Sequence, residues 1–159
     1  MKKILLKTAN INQAKFLFNV YNHSVENSFS KTKKKINYKD HLQWFKNNLR
    51  NKYTRIYIGY SSVKKFGYVR YEKIQKNEYI VSIANHPDFI GKGLGSILLK
   101  LSIKKFKKNR KLISIFAMIK KNNLPSKKIF IKNNFKLKKT IPKLLIKKYG
   151  KNFICYKKK

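Results

Sequence analysis

The sequence predicts one mixed α/β domain over residues 1–159, and three features point to it. The length suits a single domain. Hydrophobic residues make up 42% of the chain, enough to build a core and to exclude wholesale disorder. Strand-like and helix-like apolar patterns alternate, with three consecutive strands in the middle and a helix separating the third from the next.

Residues 3–8 read as a short strand, after which Asn10 or Asn12 caps a helix to about Tyr21. Residues 22–37 are polar and irregular. Leu42, Phe45 and Leu49 recur at helical spacing and predict a helix over residues 38–49, with His41 and Trp44 beside them. Residues 55–60 and 66–72 are strands joined by a hairpin through residues 61–65. Glu78–Asn85 follows as a strand in which Ile80, Val81 and Ile83 suit burial on both faces. Residues 86–95 form a loop, then a helix runs to about Lys108. A buried strand at 112–119 and a short helix at 123–134 come next, and 135–139 with 153–157 form a closing hairpin. The sum is a central, largely antiparallel sheet of six to seven strands flanked by about four helices.

The charge is lopsided, with 41 Lys+Arg against 5 Asp+Glu and a formal net charge of +36. Such a surplus invites a nucleic-acid reading. The arginines that read base edges are scarce, however: only Arg50, Arg55, Arg70 and Arg110. The lysines are scattered through every segment, and Ile (19) and Asn (17) are abundant too. Lys, Ile and Asn share A/T-rich codons, so base composition explains most of the excess. Nucleic acid is disfavoured, and small anionic ligands are favoured.

Cys155 is the single cysteine, so an internal disulfide is excluded, and its apolar surroundings mark a small core residue. No signal peptide, membrane span or metal-ligand cluster is legible, which gives a cytoplasmic expectation.

Three of the six glycines fall at positions 91, 93 and 95, between a buried strand and a helix start. Glycine there permits positive φ and close approach of a ligand to the main chain. Exposed N–H groups and the positive helix end then make an anion site suited to a pyrophosphate. The Walker and dinucleotide-binding glycine patterns do not fit, since no Lys precedes Ser96 and Leu98 occupies the last glycine's place.

Residues 81–99, VSIANHPDFIGKGLGSILL, resemble motif A of the GCN5-related N-acetyltransferases, the GNAT family. Residues 123–135, NLPSKKIFIKNNF, resemble its motif B, in the right order and one strand downstream. The resemblance implies the GNAT fold, an acyltransferase activity, acetyl-CoA as cofactor and a primary amine as acceptor. It implies cofactor binding by Ile83, Ala84, Asn85, Ile90, Gly91, Lys92, Gly93, Leu94, Gly95, Ser96, Asn123, Ser126 and Phe130. Ile90 stands where the family usually has Arg or Gln, and Asn134 replaces the usual Gly before Phe135. Phe130 stands where many members carry the tyrosine that protonates the leaving thiolate. The proton therefore comes from elsewhere, from Tyr149 or from water.

The amine must shed a proton, and the candidate catalytic residues are Glu78, His86 and Ser82, the last by ordering a water. Each has a plainer reading: a solvated strand end, an exposed turn and one face of a strand. Upstream, Tyr21-Asn22-His23, Ser28-Phe29-Ser30 and residues 36–45, INYKDHLQWF, resemble a branch acting on UDP-linked 4-amino sugars for surface glycans. That resemblance implies substrate contacts from Asn22, His41 and Trp44, although a helix-end cap and a helix anchor are equally open readings. The alternatives are a GNAT enzyme acting on a protein N-terminus or another small amine, and a non-catalytic basic nucleic-acid-binding module. A homodimer is left open.

Overall fold

The computed structural model describes residues 3–27, 34–110 and 112–159. Among these residues seven strands form one sheet in the order β1-β2-β3-β4-β5-β7-β6. They are β1 (Ile4–Thr8), β2 (Thr54–Ser61), β3 (Lys64–Gln75), β4 (Glu78–Asn85), β5 (Ser114–Lys120), β6 (Lys136–Lys138) and β7 (Phe153–Lys158). Every pairing is antiparallel except β4 with β5. A parallel neighbour needs a crossover, and the helix α3 (Leu94–Lys107) supplies it.

The pleat sorts β4 between the two faces. Tyr79, Val81 and Ile83 join a core with Tyr71, Leu98, Leu99, Phe106, Ile115, Ala117 and Phe130 beneath α3 and α4 (Leu124–Lys132). On the other face, Ala84 packs with Tyr68, Leu17, Val20 and Phe45 from β3, α1 (Ala14–Glu26) and α2 (Tyr38–Arg50). Ile80 and Phe116 pack with Leu145 of α5 (Lys143–Tyr149) and with Cys155. Two layers of helices therefore sandwich the sheet, each filling the face that alternate residues present.

The expected elements stand, with three corrections. The first helix continues to Glu26 because Val25 still buries its side chain, so residues 22–26 are not irregular. The hairpin between β2 and β3 is tighter than expected, turning on Ser62-Val63 with Ser62 at φ 56°. Helix α5 is an addition to the expected elements. Pro142 precedes it and Gly150, at φ 79°, ends it, the punctuation a short helix needs. With it, the described residues hold five α-helices, in keeping with the expected sheet flanked by about four. Ser28, Phe29 and Ser30 lie outside the described residues.

Candidate functional site

β4 and β5 pair only through Glu78↔Ser114, Tyr79↔Ile115 and Ile80↔Phe116. Beyond that point β4 stays with β3 as far as Asn85, and β5 stays with β7 as far as Lys120. The two strands part, leaving a slot through the sheet. A cavity of about 580 Å³ occupies it, lined by residues 80–85 of β4 and by Met118, Ile119 and Lys120 of β5. Phe130, Ile129 and Ser126 of α4 close one face, while Tyr21, His41, Trp44 and Tyr149 border the other.

At the slot's open end lies the glycine loop. A turn at Pro87–Phe89 leads to extended Ile90, then Gly91 at φ 79° and Gly93 at φ 72°. Gly93 starts α3 with no side-chain cap, so the helix end relies on other partners for its first amides. A Cβ on Gly91 or Gly93 would meet nothing within 4 Å. Gly95 differs, because a Cβ there would lie 2.7 Å from Asn85 Nδ2 and 2.9 Å from Ile129 Cδ1. Asn85 is wedged between Gly95 and Gly67, whose Cβ would lie 2.5 Å from Asn85 Oδ1. That oxygen is buried without a hydrogen-bond partner. The slot, the two outward-facing glycines and the uncapped helix end fit a thin chain carrying a diphosphate.

On the opposite face, register puts Arg70 across from Ser82 and Tyr68 across from Ala84. The Arg70 guanidinium lies 5.2 Å from the Trp44 ring, and Nη2 is 3.6 Å from Glu72 Oε2. Lys148 of α5 donates to Glu72 Oε1 at 2.6 Å. Arg70, Lys148 and Lys120 all border the cavity, and Asp40 is the only carboxylate that does so among the described residues. This wall is cationic and aromatic.

The expected site residues divide accordingly. Ser82, Ile83, Ala84, Asn85, Ile90, Gly91, Asn123, Ser126, Phe130, His41 and Trp44 border the cavity. Lys92, Gly93, Leu94, Gly95 and Ser96 lie along the loop and first turn of α3, outside the enclosed part. The Lys92 ammonium is held by the Asp88 carbonyl at 2.6 Å, and the Ser96 hydroxyl accepts from Asn133 at 3.0 Å. Asn123 spends its Oδ1 capping α4, accepting from the Ser126 amide at 3.0 Å.

Glu78 does not border the cavity. It sits where β4 and β5 are still paired and accepts from Gln75 Nε2 at 2.6 Å. His86 is also elsewhere, stacked on Phe16 at 6.0 Å with Nδ1 accepting from the Asp88 amide at 3.4 Å. Asn22 is a brace: its side chain accepts from the Ile36 amide at 3.2 Å and donates to the Ile36 carbonyl at 3.1 Å. His41 is only 1% exposed, and its Nε2–H donates to the Ala14 carbonyl at 3.1 Å, tying α2 to α1. Burial pushes its imidazolium pKa down and favours the neutral ring. Among the Lys and Arg side chains that border the cavity, sequence reasoning missed all three, Arg70, Lys120 and Lys148, hidden among 41 cations.

Among the described residues, no group of three or more His, Cys, Asp or Glu side chains could hold a metal ion, and no helix is long and apolar enough to cross a membrane.

A sequence model of the acetyltransferase (GNAT) family matches residues 17–135. No match was found among curated proteins. Solved structures share the fold. A ribosomal-protein-alanine N-acetyltransferase from Brucella melitensis superposes with a TM-score of 0.79 at 19% identity, covering 97% of this chain and 98% of that one. A Salmonella typhimurium protein solved with its cofactor acetyl-CoA has a TM-score of 0.79 at 18% identity, over 98% and 93% of the two chains. A spermidine N-acetyltransferase from Vibrio cholerae has a TM-score of 0.76 at 13% identity, over 97% and 92%.

Proposed function

The chain belongs to the acetyltransferase (GNAT) family, and we propose that it acetylates the 4-amino group of a UDP-linked amino-deoxy sugar in the cytoplasm. It is an acetyl-CoA-dependent N-acetyltransferase, and the acetyl group arrives activated as a thioester. In this reading, main-chain groups around residues 83–85 hold the pantetheine chain in the slot. The amides of residues 91–95 and the start of α3 hold the diphosphate. Holding both reactants in one cavity supplies most of the rate, because the remaining work is alignment and the routing of protons.

The observation that carries the acceptor assignment is the cationic and aromatic wall of the cavity. Arg70 over Trp44, with Lys148 and Lys120, suits an anionic molecule bearing flat rings. A polycation would meet like charge there. With Glu78 and His86 outside the cavity, and the Asp40 carboxylate engaged by Asn37 Nδ2 at 2.7 Å, the amine's proton passes to water. Ser82, exposed opposite Arg70, is placed to order that water.

The test is coenzyme A release with a UDP-4-amino sugar, an amino-terminal ribosomal peptide and spermidine as competing acceptors. The sugar should give a kcat/KM at least about tenfold above either rival. A peptide or spermidine turned over better than the sugar overturns the acceptor and leaves acetyl transfer intact.

A further inference from the structure

The geometry points to Tyr149 as the catalytic residue that gives its phenolic proton to the leaving sulfur, from the face of the slot opposite the position where Phe130 stands. This inference rests on acetyl-CoA occupying the slot, and calorimetry with two cofactor analogues separates the two.

Phe130 has no proton to give. It is 3% exposed, packs edge-on against Phe135 at 4.9 Å and belongs to the core beneath α3 and α4. The slot, however, passes through the sheet and has a second rim. Its closed end is the last paired couple, Ile80 and Phe116, whose side chains both point to the α5 face. Tyr149, at the C-terminal end of α5, packs against that same cluster together with Met118. Phe130 and Tyr149 border one cavity from its two sides. A sulfur held between the parted strands would lie between the two faces, open to side chains from either rim.

Helix α5 is held there firmly. Leu145 is fully buried in the cluster of Ile80, Phe116 and Cys155, and Lys148 is bonded to Glu72 on β3. Tyr149 itself is braced edge-on against Phe153 at 5.4 Å. Burial raises its pKa, the influence of Arg70 opposing and that of Glu72 reinforcing the shift, so the phenol keeps its proton at neutral pH.

The step balances. The amine nitrogen bonds to the acetyl carbonyl carbon as the carbon–sulfur bond breaks, and the bonding pair stays on sulfur. Sulfur takes the Tyr149 proton, the nitrogen releases one proton to water, and water returns one to the phenolate. The products are an amide and a thiol.

Binding of coenzyme A and of desulfo-coenzyme A, which lacks the sulfur, is measured by calorimetry on the wild-type chain, Y149F and Y149F/F130Y. The wild-type chain should prefer coenzyme A by about fivefold, the worth of one hydrogen bond to sulfur. Y149F keeps the ring and its contact with Phe153 but should bind both compounds equally. The double variant should regain the preference from the other rim. With the sugar acceptor, kcat of Y149F should fall about a hundredfold at an unchanged KM for acetyl-CoA. An equal preference in wild type and Y149F, an undiminished kcat, or a double variant that stays indifferent overturns the assignment. If the wild-type chain binds neither compound, the cofactor reading itself falls.

Discussion

Replacing Gly93 by valine should weaken acetyl-CoA binding at least a hundredfold, about 2.7 kcal/mol, while the chain still folds. Two effects combine. At φ 72° a β-branched residue is strained by about 1–2 kcal/mol, which tilts the loop away from its bound shape. The new side chain would also project into space that the protein leaves empty, since a Cβ there meets nothing within 4 Å. In the proposed complex that space belongs to the diphosphate. Gly95→Ala provides the contrast. Its Cβ would collide with Asn85 and Ile129, so it should cost about 1–3 kcal/mol of folding stability by overpacking the wedge beneath the loop. Calorimetric titration and urea unfolding on both variants separate binding loss from stability loss. A Gly93→Val chain that binds like wild type would remove the loop from the cofactor site.

The second large effect concerns the acceptor. Arg70→Ala should raise the KM for the UDP-4-amino sugar by about 10–100-fold, the range of a charge-assisted hydrogen bond. Acetyl-CoA affinity should stay within about twofold, because Arg70 lies on the face away from the glycine loop. Arg70 is largely enclosed, its side chain 21% exposed, stacked on Trp44 and opposite Ser82. Removing it leaves Glu72 paired with Lys148 and takes away the planar donor fork. Arg70→Lys should recover only part of the loss. Steady-state kinetics with each substrate varied decides the matter, and an unchanged acceptor KM would contradict a role for this wall.

The cofactor side is far more legible in the sequence than the acceptor side, for a physical reason. Gly91, Gly93, Gly95 and the flanking strand and helix are one contiguous stretch, so local backbone demands write themselves into residue type. β4 keeps its expected bounds, because its apolar residues alternate onto two buried faces. The acceptor wall is instead assembled from β3, α2, β5 and α5. Arg70 acquires its position from cross-strand register with Ser82, and Lys148 from a bond to a residue 76 positions away. Neither relation has a local signature, and each lysine is camouflaged by its abundance. The same limit explains Glu78. It begins the right strand, yet the strands part only after Ile80, and that splay is set by pairing rather than by residue type. Helix α5 is a different case, for Pro142 and Gly150 with Leu145 and Tyr149 one turn apart are readable signals.

Amide hydrogen exchange with and without acetyl-CoA reads the main chain at every proposed cofactor contact. Acetyl-CoA should add protection at residues 83–85, at 90–96 and at the start of α4, with β1, β2 and the first hairpin unchanged. Protection absent from the slot and the glycine loop, or placed on another surface, would contradict the proposed cofactor site.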